Sequence, residues 1–222
     1  MLADTENYEK EIANKTESEL LKEIRSLKRR IGSLKKKVEH PDFEMRGVRP
    51  APDVEIDKLY AYLQIAIGAM GDEYKRSASD RKAQKIQDAM QYLKQVTFSI
   101  GGFTNETHTC LLLFKDGTCY KRESTQFLGY IGTVGEPVAE WPAYEVIAEL
   151  QSLHLGRWKL HYSAMDYGIE IMDGTQWKLA FKFADDTRPL VITGDNAYPY
   201  NFCRLLEILE MEEESEELTE TE

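Results

Sequence analysis

The chain has little that would serve redox, metal or export chemistry. Of its 222 residues only three are cysteine, Cys110, Cys119 and Cys203. An odd number with no CxxC pair suits buried, reduced thiols better than a disulfide framework or a zinc site. The opening stretch MLADTENYEKEIANK carries early acids and no apolar core of signal-peptide length, so export through a signal peptide is not expected. The longest apolar run, LYAYLQIAIGAM over 59–70, is too short to cross a bilayer and reads as part of a globular segment. These absences describe a cytoplasmic protein without membrane contact. There is also no GxxxxGK[ST], no GxGxxG between a strand and a helix, no HExxH and no GxSxG. Phosphate-cradling loops, zinc-protease helices and nucleophile elbows are therefore missing, and neither a cofactor nor a metal is expected.

Charge is plentiful and unevenly spread. The formal net charge is -11. Yet the segment from Lys22 to Lys37 holds eight bases, Lys22, Arg25, Lys28, Arg29, Arg30, Lys35, Lys36 and Lys37, against the single acid Glu23. The end of the chain, EMEEESEELTETE from Glu210, holds eight glutamates and no base. Such a run cannot bury enough apolar surface to fold by itself, so residues 211–222 are expected to form a disordered acidic tail.

The basic segment lies on a predicted helix over 16–39. Thr16 followed by Glu19 is a capping-box signature, and His40-Pro41 supplies the stop because proline disfavours helix in the residue before it. Leu20, Ile24, Leu27, Ile31, Leu34 and Val38 recur at spacings of four and three, a heptad seam of about two and a half repeats. Ile or Val at a with Leu at d favours a parallel two-stranded coil, which makes residues 20–38 the expected seam of a homodimer. Flanking charges qualify this: Glu23 would meet Lys28 favourably, but Arg30 would face Lys35. The alternative is that the stripe packs on the chain's own helices or on a partner.

RGVRPAP over 46–52 reads as a linker. A helix is predicted over 54–70, capped by Asp53 and ended by Gly71, then a second in SASDRKAQKIQDAMQYLKQ with Ile86, Ala89, Met90 and Leu93 on one face, the two forming a helical hairpin. From residue 96 the pattern changes to strands. VTFSIGG, HTCLLLF and TCYKRES are β-branched or aromatic runs, with KDG as the turn between the last two. After a connection over 125–139, WPAYEVIAELQSL reads as a helix. Strands return in RWKLHYSA, in GIEIMDGTQWKLAFKF with its Asp173-Gly174 turn, and in TRPLVITG. A last helix is predicted from Pro199 to Met211 with Phe202, Leu205, Leu206 and Leu209 inward. The two halves share an order of elements, and Trp141-Pro142 answers Tyr198-Pro199. The fold class is thus α+β: a basic heptad helix (1–45), a linker and helical hairpin (46–95), and a duplicated antiparallel strand-strand-strand-helix domain (96–210).

The stretch ITGDNAYPYNF poses a choice between ligand site and hinge. Gly194 permits unusual backbone angles, Asp195 or Asn196 can satisfy turn groups, and Pro199 suits the first turn of a helix, so each residue has a local structural task. This C-terminal pattern, in Asp173, Gly174, Trp177, Gly194, Pro199, Asn201 and Phe202, resembles that of a diffuse group of uncharacterised proteins of Firmicutes and their mobile elements. Asp185-Asp186 stands where that group has a second Asp-Gly turn. The resemblance covers 96–210 and implies a fold, with no activity or catalytic residues attached.

For catalysis the candidates are thin. His108, Cys110 and Cys119 share a hairpin, His154 and His161 lie further on, and Asp195 with Asn196 could line a cleft walled by Tyr167, Tyr198 or Trp177. Turn chemistry and core aromatics explain the Asp195 group without a ligand, a strand cysteine is ordinarily a small apolar group, and His154 and His161 are candidates only because nothing excludes them. An enzyme is accordingly the third reading. The first is a non-catalytic protein that binds a macromolecule, in line with the resemblance a phage or mobile-element accessory protein that inhibits a host defence nucleoprotein, such as a CRISPR effector, by protein contact. The second is direct binding of nucleic acid by the basic helix over 22–37, a sequence-blind and salt-dependent mode.

Overall fold

The computed structural model describes residues 2–43, 51–102, 106–126 and 136–211. The chain divides into two compact units, Met1–Arg81 and Lys82–Glu222. This boundary differs from the expected scheme of a separate basic helix and a separate hairpin, for a reason visible in the first unit.

That unit contains α1 (Leu2–Ile12), α2 (Glu17–Val38), α3 (Pro52–Met70) and the beginning of α4 (Ala78–Ala89). The capping signature of α2 is used: Thr16 donates its backbone N–H at 2.8 Å and its hydroxyl at 2.7 Å to Glu19 Oε2. These two bonds hold the Glu19 carboxyl below its usual range, the hydroxyl contributing most. The helix ends at Val38, where the Glu39 N–H returns to the Lys35 carbonyl. α3 starts two residues earlier than predicted, with Pro52 in the first turn and Asp53 inside the helix instead of capping it. Proline's missing N–H costs nothing there, which is why the start moves to it. Gly71 ends α3 at a φ of +54°, as expected.

Every third or fourth residue of α3 is buried: Ile56, Leu59, Tyr60, Leu63, Ala66, Ile67 and Met70. This broad apolar face packs against α2 and α1, so the hairpin partner of α3 is α2 and not α4. Tyr8 of α1 stacks on Tyr62 of α3 with ring centroids 4.0 Å apart. The Tyr8 hydroxyl donates to Glu23 Oε1 at 3.3 Å, and burial together with that carboxylate raises the phenol's pKa. The apolar residues predicted for one helix face serve the second unit: Ile86 of α4 packs on its core, and Met90 and Leu93, which lie beyond the end of α4, belong to that core.

The second unit is a seven-stranded sheet in the order β4-β3-β2-β1-β6-β7-β5. Its strands are β1 (Leu93–Gly102), β2 (Thr107–Lys115), β3 (Thr118–Gln126), β4 (Ala139–Pro142), β5 (His161–Ser163), β6 (Thr175–Phe183) and β7 (Leu190–Asp195). All neighbours are antiparallel except β5, which runs parallel to β7. The β2–β3 turn has Asp116 and Gly117 both at positive φ, +51° and +81°, as the KDG signal predicts. Two helices, α5 (Ala143–Ser152) and α6 (Phe202–Ile208), belong to the same core.

The expected duplication is not visible in this topology. A repeat would match β1, β2 and β3 with β5, β6 and β7 in the same spatial order. Instead the order is β6-β7-β5, with β5 at the edge and parallel. The predicted strand in GIEIMDG is also missing, and of RWKLHYSA only His161–Ser163 is strand. Residues 164–168 turn sharply, with the Gly168 and Ile169 N–H groups returning to Met165 and Ala164, which takes that stretch out of the sheet.

Alternation assigns the two faces of the sheet. Val96, Phe98, Cys110, Leu112, Cys119, Trp177, Leu179, Phe181 and Ile192 point to one side and are buried among Leu150, Leu153, Phe202, Leu205 and Leu209. On the outer side lie Thr97 and Ser99, Thr109, Leu111 and Leu113, Tyr120, Arg122 and Ser124, Lys178, Ala180 and Lys182, and Val191 and Thr193. None of these is buried.

Candidate functional site

Of the sequence's candidates, the basic helix is the one that keeps free chemistry in the fold. Its buried stripe is Leu20, Ile24, Leu27 and Ile31, at 6, 2, 1 and 5 % exposure, with Leu34 and Val38 half-buried. These residues are covered within the chain, where α2 packs along α3. The seam expected to join two chains is therefore occupied inside one, and a homodimer through residues 20–38 would first have to separate α2 from α3.

The eight cations sort into two groups around the helix. Lys28 places Nζ 2.6 Å from Asp80 Oδ2 and 2.7 Å from the Tyr74 hydroxyl. Lys35 pairs with Glu39 at 3.6 Å, and Arg30 with Glu55 at 3.2 Å. Lys37 lies over the Phe43 ring, 5.5 Å from its centroid. The other four, Lys22, Arg25, Arg29 and Lys36, are exposed and form no ion pair among the described residues. At 100° per residue these four fall within about 60° of one another, roughly opposite the buried seam, and span about 21 Å along the axis. Between them stand only Ser26, Gly32 and Ser33, all exposed. The outward face of α2 is thus a straight cationic stripe with small residues between the charges and no aromatic group on it.

The angular sorting can be read from the sequence, since it needs only the seam and the helical repeat. The neutralising partners cannot, because Glu55 and Asp80 are 25 and 52 residues away from the bases they meet.

The stretch around Asp195 is a hinge, as its composition suggests. Asn196, at φ +52°, accepts the Thr175 N–H on Oδ1 at 2.7 Å and donates its own backbone N–H to the Thr175 carbonyl at 2.9 Å. Its amide also donates to Asp195 Oδ1 at 2.8 Å. Gly174 lies against that amide, where a Cβ would collide with it. Tyr198 packs on Phe202 and Trp177, with centroids 4.7 and 6.5 Å away. Pro199 precedes α6 in a turn closed by the Phe202 N–H at 3.0 Å, so the helix starts at Phe202 instead of Pro199 and ends at Ile208. Asn201 is buried and donates to the Leu153 carbonyl at 3.1 Å. Trp177 belongs to the core and Tyr198 packs on it.

The remaining candidates stay apart. Cys110 and Cys119 are buried, and burial pushes each thiol up to about 12. His108 shares a 3.3 Å hydrogen bond with Thr125, and His161 a 2.9 Å one with Thr193. Tyr167 receives a hydrogen bond from Lys159 at 3.2 Å. Among the described residues no three His, Cys, Asp or Glu side chains converge as metal ligands would. No helix among them is long and apolar enough to cross a membrane.

The chain matches no family model, no curated protein and no solved structure.

A thiol-specific prediction follows from the burial. At pH 8 an aromatic disulfide reagent is expected to label the exposed Cys203 quickly and to leave Cys110 and Cys119 unmodified until unfolding. Their folded values of about 12 lie above the unfolded one near 9. The neutral thiols thus favour the folded state fully below about pH 9, and that contribution is lost as pH rises from there towards 12. Rapid release of three equivalents from the native chain would contradict this.

Proposed function

We propose that this chain is a macromolecule-binding protein whose contact surface is the outward face of α2, and that the ligand it meets there is the phosphate backbone of a nucleic acid. One observation carries the reading: three of the eight bases pair with acids and Lys37 lies over an aromatic ring, while the other four are exposed, form no ion pair among the described residues and align opposite the buried seam. A helix with one buried seam places its polar residues opposite that seam, so what marks this face is that four cations share it with no acid between them. The first unit also holds sixteen bases and sixteen acids, so the stripe sits on a neutral body, and the net -11 belongs entirely to the second unit. A face with no aromatic, Asn or Gln side chain reads phosphates and leaves the bases unread.

Four phosphate contacts on a duplex predict a log–log salt slope near -3.6, roughly a 150-fold loss of affinity between 50 and 200 mM salt. The test is titration of labelled duplexes of two unrelated sequences with the full chain and with the Lys22→Ala/Arg25→Ala/Arg29→Ala/Lys36→Ala variant. Binding that is equal for both duplexes and lost in the variant is expected. An Arg30→Gln/Lys37→Gln control should change affinity less than about threefold, since those charges are already engaged. Absence of binding at 50 mM salt, or a slope that the fourfold variant leaves unchanged, overturns the proposal.

A second reading rests on the acidity of the second unit, with twelve bases against twenty-three acids. A phage or mobile-element accessory protein could use such a unit to occupy the basic surface of a host defence nucleoprotein. Competition with nucleic acid for a purified basic nucleoprotein, undiminished by the fourfold α2 variant, would favour that reading over the first.

A further inference from the structure

The outer face of the sheet is patterned in rows that run across the strands. Register aligns Ser124 of β3, Thr109 of β2, Ser99 of β1, Lys178 of β6, Thr193 of β7 and His161 of β5. Every member of this row carries a hydroxyl, an ammonium or an imidazole, and none is buried. Neighbouring strands lie about 4.8 Å apart, so the row extends for about 24 Å. His161 Nδ1 and Thr193 Oγ1 share a 2.9 Å hydrogen bond. The Ser124, Thr109 and Ser99 hydroxyls and the Lys178 ammonium meet no partner among the described residues.

The adjoining row is mostly apolar. Leu111, Thr97, Ala180 and Val191 stand side by side on β2, β1, β6 and β7, and Val191 is 42 % exposed. Leu113 and Tyr120 carry the apolar surface one row further on β2 and β3, and Lys182 stands in that same row on β6. The outward residues of β3, β2, β1 and β6 include no carboxylate, although the net -11 of the chain belongs to this unit. Glu140 and Asp195 stand only on the flanking strands β4 and β7. Neither Lys178 nor Lys182 forms an ion pair among the described residues, and both are exposed.

A row of donors beside an apolar row complements a chain with anions along one edge and apolar faces along the other. We propose that the outer face of the sheet binds a single strand of nucleic acid, its phosphates on the row from Ser124 to His161 and its bases against Leu111, Leu113, Tyr120 and Val191. The twist of the sheet selects such a chain over an acidic amphipathic helix. Successive strands rotate by about 20–25°, so over five steps the apolar row swings about 100–125° around the donor row. The apolar stripe of a straight helix keeps to one side and parts from that row after a few strands, whereas a single strand turns about each of its backbone bonds. A duplex keeps its base faces stacked inside and has nothing to lay on the apolar row. Tyr120 offers one stacking platform, so the contact is tolerant of sequence. It is independent of the stripe on α2.

Titration of fluorescein-labelled dT12 with the full chain carrying the fourfold α2 substitution tests this, since that background removes the stripe's own attraction for phosphates. In 20 mM salt dT12 is expected to bind, at least fivefold more tightly than a 12-base-pair duplex. Lys178→Ala/Lys182→Ala should weaken binding at least tenfold and flatten the log–log salt slope by about 1.4, the share of two phosphates on a single strand. Ser99→Val/Thr109→Val should weaken it severalfold with the slope unchanged, because it removes hydrogen bonds and no charge. Lys82→Ala/Lys85→Ala on α4 removes as much charge away from the face and should change affinity less than twofold. No binding in 20 mM salt, equal losses from the two lysine pairs, or a preference for the duplex overturns the proposal. Tighter binding of a helical Glu/Leu peptide of about 16 residues, lost in Lys178→Ala/Lys182→Ala, would assign the face to an acidic protein and overturn it as well. Failure of the unsubstituted chain to bind duplex bears on the α2 stripe alone.

Discussion

Replacing Gly194 with alanine is expected to cost the sheet unit about 3 kcal/mol or more, because the new methyl group has no space to enter. Gly194 stands directly opposite Trp177 in the β6–β7 register. A Cβ there would fall on the indole itself, at Nε1 and Cε2. The ring cannot step aside cheaply. It is 3 % exposed, donates to the Ala197 carbonyl at 3.0 Å, and sits 5.0 Å from the Phe202 centroid and 5.9 Å from that of Tyr162. Gly168 is the informative comparison: its φ is +75°, but nothing lies within 4 Å of a Cβ, so Gly168→Ala should cost only the left-handed penalty of about 1–2 kcal/mol. Urea unfolding followed by tryptophan fluorescence reads both. Coupling to Trp177 is the sharper test, since Gly194→Ala with Trp177→Phe should lose less than the two single variants summed. A Gly194→Ala loss below 1 kcal/mol, or strict additivity, would contradict the packing account.

In the first unit the largest single effect is expected at Asp80. One oxygen, Oδ2, accepts the Lys28 ammonium at 2.6 Å, the Tyr74 hydroxyl at 3.0 Å, the Ser77 N–H at 3.0 Å and the Ser77 hydroxyl at 2.7 Å. The Asp80 N–H returns to Ser77 Oγ at 3.1 Å, so Ser77 and Asp80 also close a capping box at the start of α4. The carboxylate side chain is 3 % exposed and Lys28 31 %. Removing it leaves several donors without an acceptor, one of them charged, although Lys28 is open enough to regain water. Asp80→Ala should accordingly cost about 2–4 kcal/mol, somewhat under the range for a fully buried pair. Asp80→Asn keeps one acceptor oxygen and should lose less. Two compact units need not unfold together, so amide exchange of α2 and α3 is the suitable readout. Unchanged protection of α2 in Asp80→Ala would show that the cluster contributes little.

The comparison of sequence with fold divides along the range of the interactions. The capping box at Thr16, the α2 stripe, the Asp116-Gly117 turn and the hinge at Gly194–Asn196 are local, and residues a few positions apart announce them. What packs on what is not local. The stripe at Leu20, Ile24, Leu27 and Ile31 satisfies a two-chain coil and an intrachain helix pair equally well, and only the breadth of the apolar face on α3 decides between them. The apparent duplication fails for the same reason. Two similar strings of strands look equivalent until the parallel edge pairing of β5 with β7 sets their order. In the candidate site the four outward cations were legible by angle, whereas the loss of Lys28 and Arg30 to distant acids was not.

The middle of the sheet is made by β1 and β6, where Phe98 pairs with Leu179. Those partners are separated by most of the second unit's length, so the pairing carries a large loop-closure cost and a high contact order. During synthesis the meander β1–β2–β3 can zip as soon as it emerges, but one edge of β1 stays open until β6 has left the ribosome. An open edge is a template for strands of other chains, which makes that interval the stage at which this protein is most exposed to aggregation. The three helices of the first unit, complete within the first eighty-one residues, carry no such delay.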